Sequence, residues 1–362
     1  GDRTSSPTPT ATDSPIGITT FQPGLDRDVD NTFGPSFQGG AGYNSQNWLT
    51  LPKGTTTERF VEVANSAVSA SSARGVFGGG IAPSYINTLV YITISTAGDA
   101  QDFGDLTVAR GEFAGSFASS TRGVFAGGRI APAPGTTNVT IDYVTISTIG
   151  DATDFGDLIT AASAGGGCSS STRGLTGGVS TPSAVNTIEY VTIATTGNAK
   201  DYGDLTTTVN NRKAFASPTR GVWSGGEGPI NTMDYVTIQS TGNSFDFGDL
   251  STAVRRASCL SNATRGITGG GVGSPAAVDT IQYVTIQSTG NSVDFGDLTS
   301  ARHDHAGLAS LVRGVFAGGH PGFSDVIDFI TIATLGDATD FGDVPHSSSN
   351  DAGCSNGHGG LG

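Results

Sequence analysis

Charge is scarce in this 362-residue sequence, and positive charge is scarcer still. Charged residues make up 14% of the chain, with 18 Lys and Arg against 32 Asp and Glu, a formal net charge of -14. That balance excludes a nucleic-acid backbone as the main partner, because phosphate binding requires clustered basic side chains. The three cysteines, Cys168, Cys259 and Cys354, are odd in number and form no CxxC pair, which excludes a zinc knuckle and a disulfide framework; free, mostly buried thiols are expected. No apolar run approaches 18 residues, so no helical membrane span is expected.

Glycine, in contrast, is abundant. Gly 55 with 36% hydrophobic residues is the profile of many turns between short strands. The dipeptide Arg-Gly recurs at Arg74, Arg122, Arg173, Arg220, Arg265 and Arg313, at steps of 48, 51, 47, 45 and 48 residues. Each unit runs as RGVFAGG, a variable loop, a strand such as IDYVTIST, a Gly-Asp or Gly-Asn turn, an acidic octet such as DATDFGDL at 151–158, and a segment leading to the next Arg-Gly. Within residues 301–343 four strands are predicted: a near His305–Ser310, b Arg313–Gly319, c Val326–Thr334 and d Thr339–Val344. The Gly336-Asp337 hairpin joins the last two. Four antiparallel strands in a unit of roughly 45 to 50 residues is the blade of a β-propeller. A β-solenoid is disfavoured, because Tyr143, Val144, Thr145 and Ile146 carry apolar residues on both faces of strand c.

The Gly-Gly pair ending strand b, the aromatic of strand c and LTSARHDHAG beyond strand d resemble kelch repeats over roughly residues 66–357. Phe103, Phe155, Phe247, Phe295 and Phe341, with Tyr202, stand where kelch repeats carry Trp. More closely, RGVFAGG, NTIDYVTI and DFGDLT together are similar to repeat-containing virion structural or fibre proteins of marine bacteriophages, cyanophages above all. This resemblance implies an all-β propeller of four-stranded kelch-like blades in a non-enzymatic virion structural or host-attachment protein, with a virion or extracellular location.

Seven blades are expected, with six as the alternative. The end of the chain, SNDAGCSNGHGGLG, reads as strand a and the start of strand b, and residues 34–65 would supply strands b to d of the same unit. Closure by strands from both termini removes aggregation-prone edges. The propeller is thus assigned to 34–362, with units starting near 74, 122, 173, 220, 265 and 313. Residues 1–33, Ser/Thr/Pro-rich and too poor in apolar surface to fold alone, are expected to form an extended arm.

The repeated polar residues are read as structural. Arg74, Arg122, Arg173, Arg220, Arg265 and Arg313 are expected to pair with Asp102, Asp154, Asp201, Asp246, Asp294 and Asp340 as a salt-bridge girdle. Oxygen side chains at i, i+3 and i+6, as in Asp151, Asp154 and Asp157, have calcium-ligand spacing but lack a bidentate glutamate. The octet is therefore read as turn and packing, not as a metal site. A protein-kinase reading of DFG fails for want of a phosphate loop and catalytic loop.

Variation falls on the b-to-c and d-to-a connections, where scaffolded loops usually carry binding. Arg110, Arg129, Arg212, Lys213, Arg255, Arg256, Arg302, His303, His305 and His320 gather there, which suggests an anionic host-surface polysaccharide or an acidic protein as partner. No Ser-His-Asp group, GxSxG or pair of carboxylates in unlike surroundings stands out from the repeat, so no enzyme and no cofactor are expected. Other virion proteins, engaged through the arm, and further copies of the chain are the remaining expected partners. A secreted or surface lectin-like propeller is the alternative, and a kelch-type extracellular oxidase or hydrolase the second alternative.

Overall fold

The computed structural model describes residues 73–131 and 135–361, together with two short strands, Trp48–Thr50 and Phe60–Glu62. From residue 73 onward the chain forms six four-stranded antiparallel blades in a ring. The innermost strands a are Gly115–Ala118, Gly166–Ser169, Lys213–Ala216, Ser258–Ser261, Ala306–Ala309 and Ala352–Ser355. The b strands all begin on the Arg-Gly dipeptide, from Arg74–Gly78 to Arg313–Ala317. Strands c carry the IDYVT-type sequence, and strands d the octet.

Closure happens at blade 1. Ala352–Ser355 pairs with Arg74–Gly78 in the register Ala352 to Gly78 and Ser355 to Gly75, and it also lies against the a strands of blades 2 and 6. The ring is therefore complete at six blades, and the seven-blade expectation is corrected. The last unit looked unfinished because its a strand belongs to the first Arg-Gly unit, whose strands b to d had no a strand before them. Residues 34–65 are not needed for closure: Trp48–Thr50 and Phe60–Glu62 pair with each other as a two-stranded sheet, within a unit, Gly1–Val68, distinct from Ser69–Gly362. The rest of 34–65 and the 1–33 arm lie outside the described residues.

The core lies between blades. Among the described residues it divides into six clusters, one per junction; Phe117, Val124, Phe155 and Leu158 of blade 2, for example, meet Val191 and Ile193 of blade 3. A two-sided apolar blade requires this arrangement, since neither sheet face reaches water.

The acidic octet is the latch of each junction. The amides of Gly150 and Ala152, in the c-to-d turn of blade 2, donate to the carbonyls of Phe103 and Asp105 in blade 1 at 2.8 and 2.7 Å. In return Asp105 N–H donates to Asp151 Oδ1 at 3.0 Å. The same three bonds recur at every junction, with Asn198, Asn243, Asn291, Asp337 and Asp99 in the place of Asp151. The octet glycine has a physical cause too. Gly156 sits at φ 143°, and a Cβ there would lie 2.6 Å from the Gly197 carbonyl oxygen of the next blade.

The Arg-Gly dipeptide, paired with the end of strand c, couples blades on the same side of the ring as the octet turn. Each arginine lies over the strand c ring of its own blade, Arg173 over Tyr190 at 4.4 Å, and donates Nη1 to a carbonyl of the next blade, for Arg173 that of Ile238 at 3.0 Å. Arg74, Arg122, Arg220, Arg265 and Arg313 repeat both contacts. The expected girdle is thus replaced by cation–π stacking and carbonyl capping. Asp102, Asp154, Asp201, Asp246, Asp294 and Asp340 are exposed, and among the described residues none forms an ion pair with these arginines. The strand c ring meets the octet aromatic edge-on, as Tyr143 meets Phe155 at 5.9 Å and 80°. The neighbouring glycine leaves room for a side chain of the preceding blade: a Cβ at Gly174 would lie 2.1 Å from Phe117.

Blades alternate in detail. In blades 3 and 5 strand a ends on Ser169 and Ser261, whose hydroxyls donate to Ala118 and Ala216 of the blade before at 2.8 and 2.7 Å; Ser355 of blade 1 donates likewise to Ala309. The even blades carry Asp142, Asp234 and Asp328 buried in strand c, where the odd blades have Glu189, Gln282 and Val90.

Replacing Gly156 by Ala is expected to cost more than about 3 kcal/mol, through a left-handed backbone and a backbone clash together. Arg173→Ala loses one stacked cation and one charged hydrogen bond, about 1–2 kcal/mol. Denaturant midpoints of the two variants check the ranking, and equal losses would contradict it.

Candidate functional site

Where strand d hands over to the next strand a, one residue in each connection is left-handed: Glu112, Ala164, Asn211, Arg256, Asp304 and Asn350, with φ between 50 and 60°. These six join head to tail. Glu112 N–H donates to Asn350 O, Ala164 to Glu112, Asn211 to Ala164, Arg256 to Asn211, Asp304 to Arg256 and Asn350 to Asp304, at 2.7 to 3.5 Å. The result is a closed hexagon of backbone hydrogen bonds around the mouth of the central channel. Glu112, Ala164, Asn211, Asp304 and Asn350 of the hexagon, with Lys213 and Asp351, line that mouth. The other end of the channel is crossed by the turn Gly359–Leu361. There His358 donates Nε2–H to Ala118 O at 2.8 Å and accepts Gly360 N–H on Nδ1 at 3.1 Å. Both bonds suit the neutral imidazole, and burial lowers its pKa.

The basic residues expected on this face have three different fates. Arg110, Arg212 and Arg302 are buried and paired with Asp142, Asp234 and Asp328 of the adjoining c strands, the first and last at 2.8 and 2.9 Å. Asp142 also accepts Thr107 N–H and Oγ1–H, and Asp234 and Asp328 accept Thr206 and Thr299 in the same way. At the remaining junctions Ile159 N–H meets Glu189, and Ser251 and Thr252 meet Gln282. At the sixth junction Val90 takes the aspartate's place in the repeat and Pro345 the threonine's, and a proline has no N–H to satisfy. These arginines are therefore internal struts and are removed from the proposed binding face.

Lys213 stands inside the channel mouth with Nζ donating to Gly165 O at 3.0 Å. Burial pulls its pKa down, and Asp304 is the largest opposing influence. His305 is also buried, against the Phe316 ring at 5.7 Å, with neither ring nitrogen hydrogen-bonded. Desolvation, and after it Arg302, holds its pKa well below the usual histidine value. It occupies the place that Phe113 takes in blade 2, beside Phe125.

Only the third group reaches the surface. Arg129 pairs with Glu112 at 3.1 Å, Arg255 with Glu227, and Arg256 with Asp304 at 3.3 Å. His303 Nδ1 is 2.9 Å from Asp304 Oδ2. Burial opposes charge on Asp304, but the His303 hydrogen bond and then Arg256 outweigh it, so its pKa falls. Asp351 accepts the Ser348 hydroxyl, but burial outweighs that bond and pushes its pKa up to about 7. The face is thus a set of paired charges and not a basic patch. Glu112, Glu227 and Asp304 were the residues missed, although Arg110-Gly111-Glu112 and His303-Asp304-His305 place acid and base together in the sequence.

Among the described residues no group of three His, Cys, Asp or Glu is placed to hold a metal. Asp151 of the calcium-spaced trio is engaged by the Asp105 amide. The cysteines are free and lie in three different blades. Neither a known family model nor a curated protein matches this chain.

Arg110→Ala is expected to cost about 3 kcal/mol, because Asp142 is left buried and unpaired, whereas Arg255→Ala on the surface costs less than about 1 kcal/mol. Urea unfolding of both distinguishes strut from surface cation. A second expectation concerns His305. Its folded pKa lies below its ordinary 6.5, so its contribution to stability is complete above that pH and is lost as the pH falls and the unfolded chain takes the proton. His305→Phe should flatten the loss of stability below pH 6.5; an unchanged pH profile would contradict the assignment.

Proposed function

We propose that this protein is a non-enzymatic bacteriophage virion component, structural and host-attaching, in which the propeller is a rigid carrier for the loop face around the channel mouth. The observation that supports this reading is how the repeat is used. Its recurrent residues, the octet acids at the turn, the octet glycine and aromatic, and the Arg-Gly pair, are all consumed by blade-to-blade contacts. Sequence variation among the units is greatest in the b-to-c and d-to-a connections, which is the division expected of a binding scaffold. The similarity of RGVFAGG, NTIDYVTI and DFGDLT to marine phage repeat proteins supplies the biological setting. In this reading the 1–33 segment engages other virion proteins, and the loop face meets a host-surface polysaccharide or a neighbouring virion protein. The lectin-like alternative uses the same face in a secreted or cell-surface protein.

Quantitative mass spectrometry of purified particles tests the virion assignment. The chain is expected at a fixed copy number per particle that survives density-gradient purification, and its absence from particles would sink the assignment. Adsorption supplies the second arm: purified propeller incubated with host cells should slow phage attachment, and no competition at saturating protein would remove the host-attachment role.

A further inference from the structure

The variable face is not uniform: one of its loops differs in kind. In blade 6 the b-to-c connection brings His320 and Phe323 beside His303 of the preceding d-to-a connection. His303 and His320 exchange both backbone hydrogen bonds, at 2.9 and 2.8 Å, and their rings stand 5.6 Å apart at 33°. Phe323 lies against His320 at 4.7 Å and 45°. The three rings form a short partly exposed ladder. The b-to-c loops of blades 2 to 5 contain no aromatic residue, and blade 1, next to blade 6, contributes Tyr85.

Phe323 is held at φ 53°, a conformation that costs a bulky side chain roughly 1–3 kcal/mol. Burial in the core does not offset this cost, since Phe323 belongs to none of the core clusters. A strained, partly exposed aromatic that contributes nothing to the core is the kind of outlier that marks a binding loop. Beside it lie planar polar groups, Asp304 holding His303 and Arg256, with Arg256 side-chain exposure of 40% and His303 of 21%.

We propose that this loop is a saccharide site, in which the ring C–H face of a neutral sugar unit stacks on Phe323 and His320 while its hydroxyls bond to Asp304, Arg256 and His303. It rests on the binding-scaffold reading and replaces the anionic ligand expected from composition. The reason is electrostatic. Arg129, Arg255 and Arg256 are each neutralised by a carboxylate and Lys213 is withdrawn into the channel mouth on the Gly165 carbonyl, so a uronate, sialate or sulfate at this loop would meet arginines already paired and would face Glu112, Glu227 and Asp304. Sugar hydroxyls, which donate and accept, use such paired groups without separating them. Aromatic side chains add contact area at low conformational cost, which suits a stacking platform.

The test is binding of the full-length chain to an array of neutral hexose and deoxyhexose oligosaccharides printed beside uronate-containing, sialylated and sulfated ones. Neutral saccharides should bind, with little change at about 0.5 M NaCl, where surface charge is screened. Phe323→Gly is the informative variant, since glycine relieves the left-handed strain: stability should hold or rise while binding falls by about tenfold or more, the loss of one stacked ring. His320→Ala should weaken binding in the same direction. Preference for acidic saccharides, binding lost in salt, no saccharide bound, or full binding by Phe323→Gly would each overturn the site. None of these outcomes bears on whether the chain is present in particles, so the two proposals fail separately.

Discussion

The contact between the Gly-Asp turn of one blade and the DFGD segment of the blade before it is the constraint on which the rest of the molecule depends. A single blade has two apolar faces and an outer strand with unsatisfied amides, so it has no stable existence alone. Two backbone bonds and one side-chain acceptor per junction fix how far neighbours rotate about the axis, and the octet glycine is required because the neighbouring carbonyl comes within 2.6 Å of any Cβ placed there. Once that angle is set, the Arg-Gly glycine receives its neighbour's side chain, the six a strands meet around the channel and the left-handed residues close their hexagon.

Much of this was legible in the sequence, because periodicity and turn chemistry are local signals. Four strands per unit, their order and the role of the octet as turn and packing all follow from spacing. Blade number did not, since counting units leaves open which neighbour adopts an orphan strand; pairing of Ala352–Ser355 with Arg74–Gly78 is a contact across almost the whole chain. The salt-bridge girdle failed for another reason. Opposite charges suggested a partner, yet the guanidinium found a ring in its own blade and a carbonyl in the next, and backbone carbonyls leave no trace in composition.

The candidate site was less legible still. Ten basic and imidazole side chains were assigned to one face from their place in the repeat, and side-chain burial divides them. Arg110 and Asp142 are 32 residues apart and meet only because strand c of blade 2 passes under the connection from blade 1. In the same way Arg255 and Glu227 belong to different blade connections. Charge read along the chain overstated the positive character of a face on which acid and base are matched in three dimensions, and the aromatic ladder of blade 6 was hidden by the histidines being read as cations.

The alternation of blades has an arithmetic consequence. Serine-ended a strands follow alanine-ended ones around the ring, and buried aspartates occupy every second c strand. The true building block is therefore a pair of unlike blades, repeated three times about a pseudo-threefold axis. Such a ring has parity: an odd number of blades would set two of one kind side by side at one junction, and the strict alternation of unlike neighbours would break there. Six keeps the alternation because it is even, and a change of size that preserved it would have to add or remove two blades together.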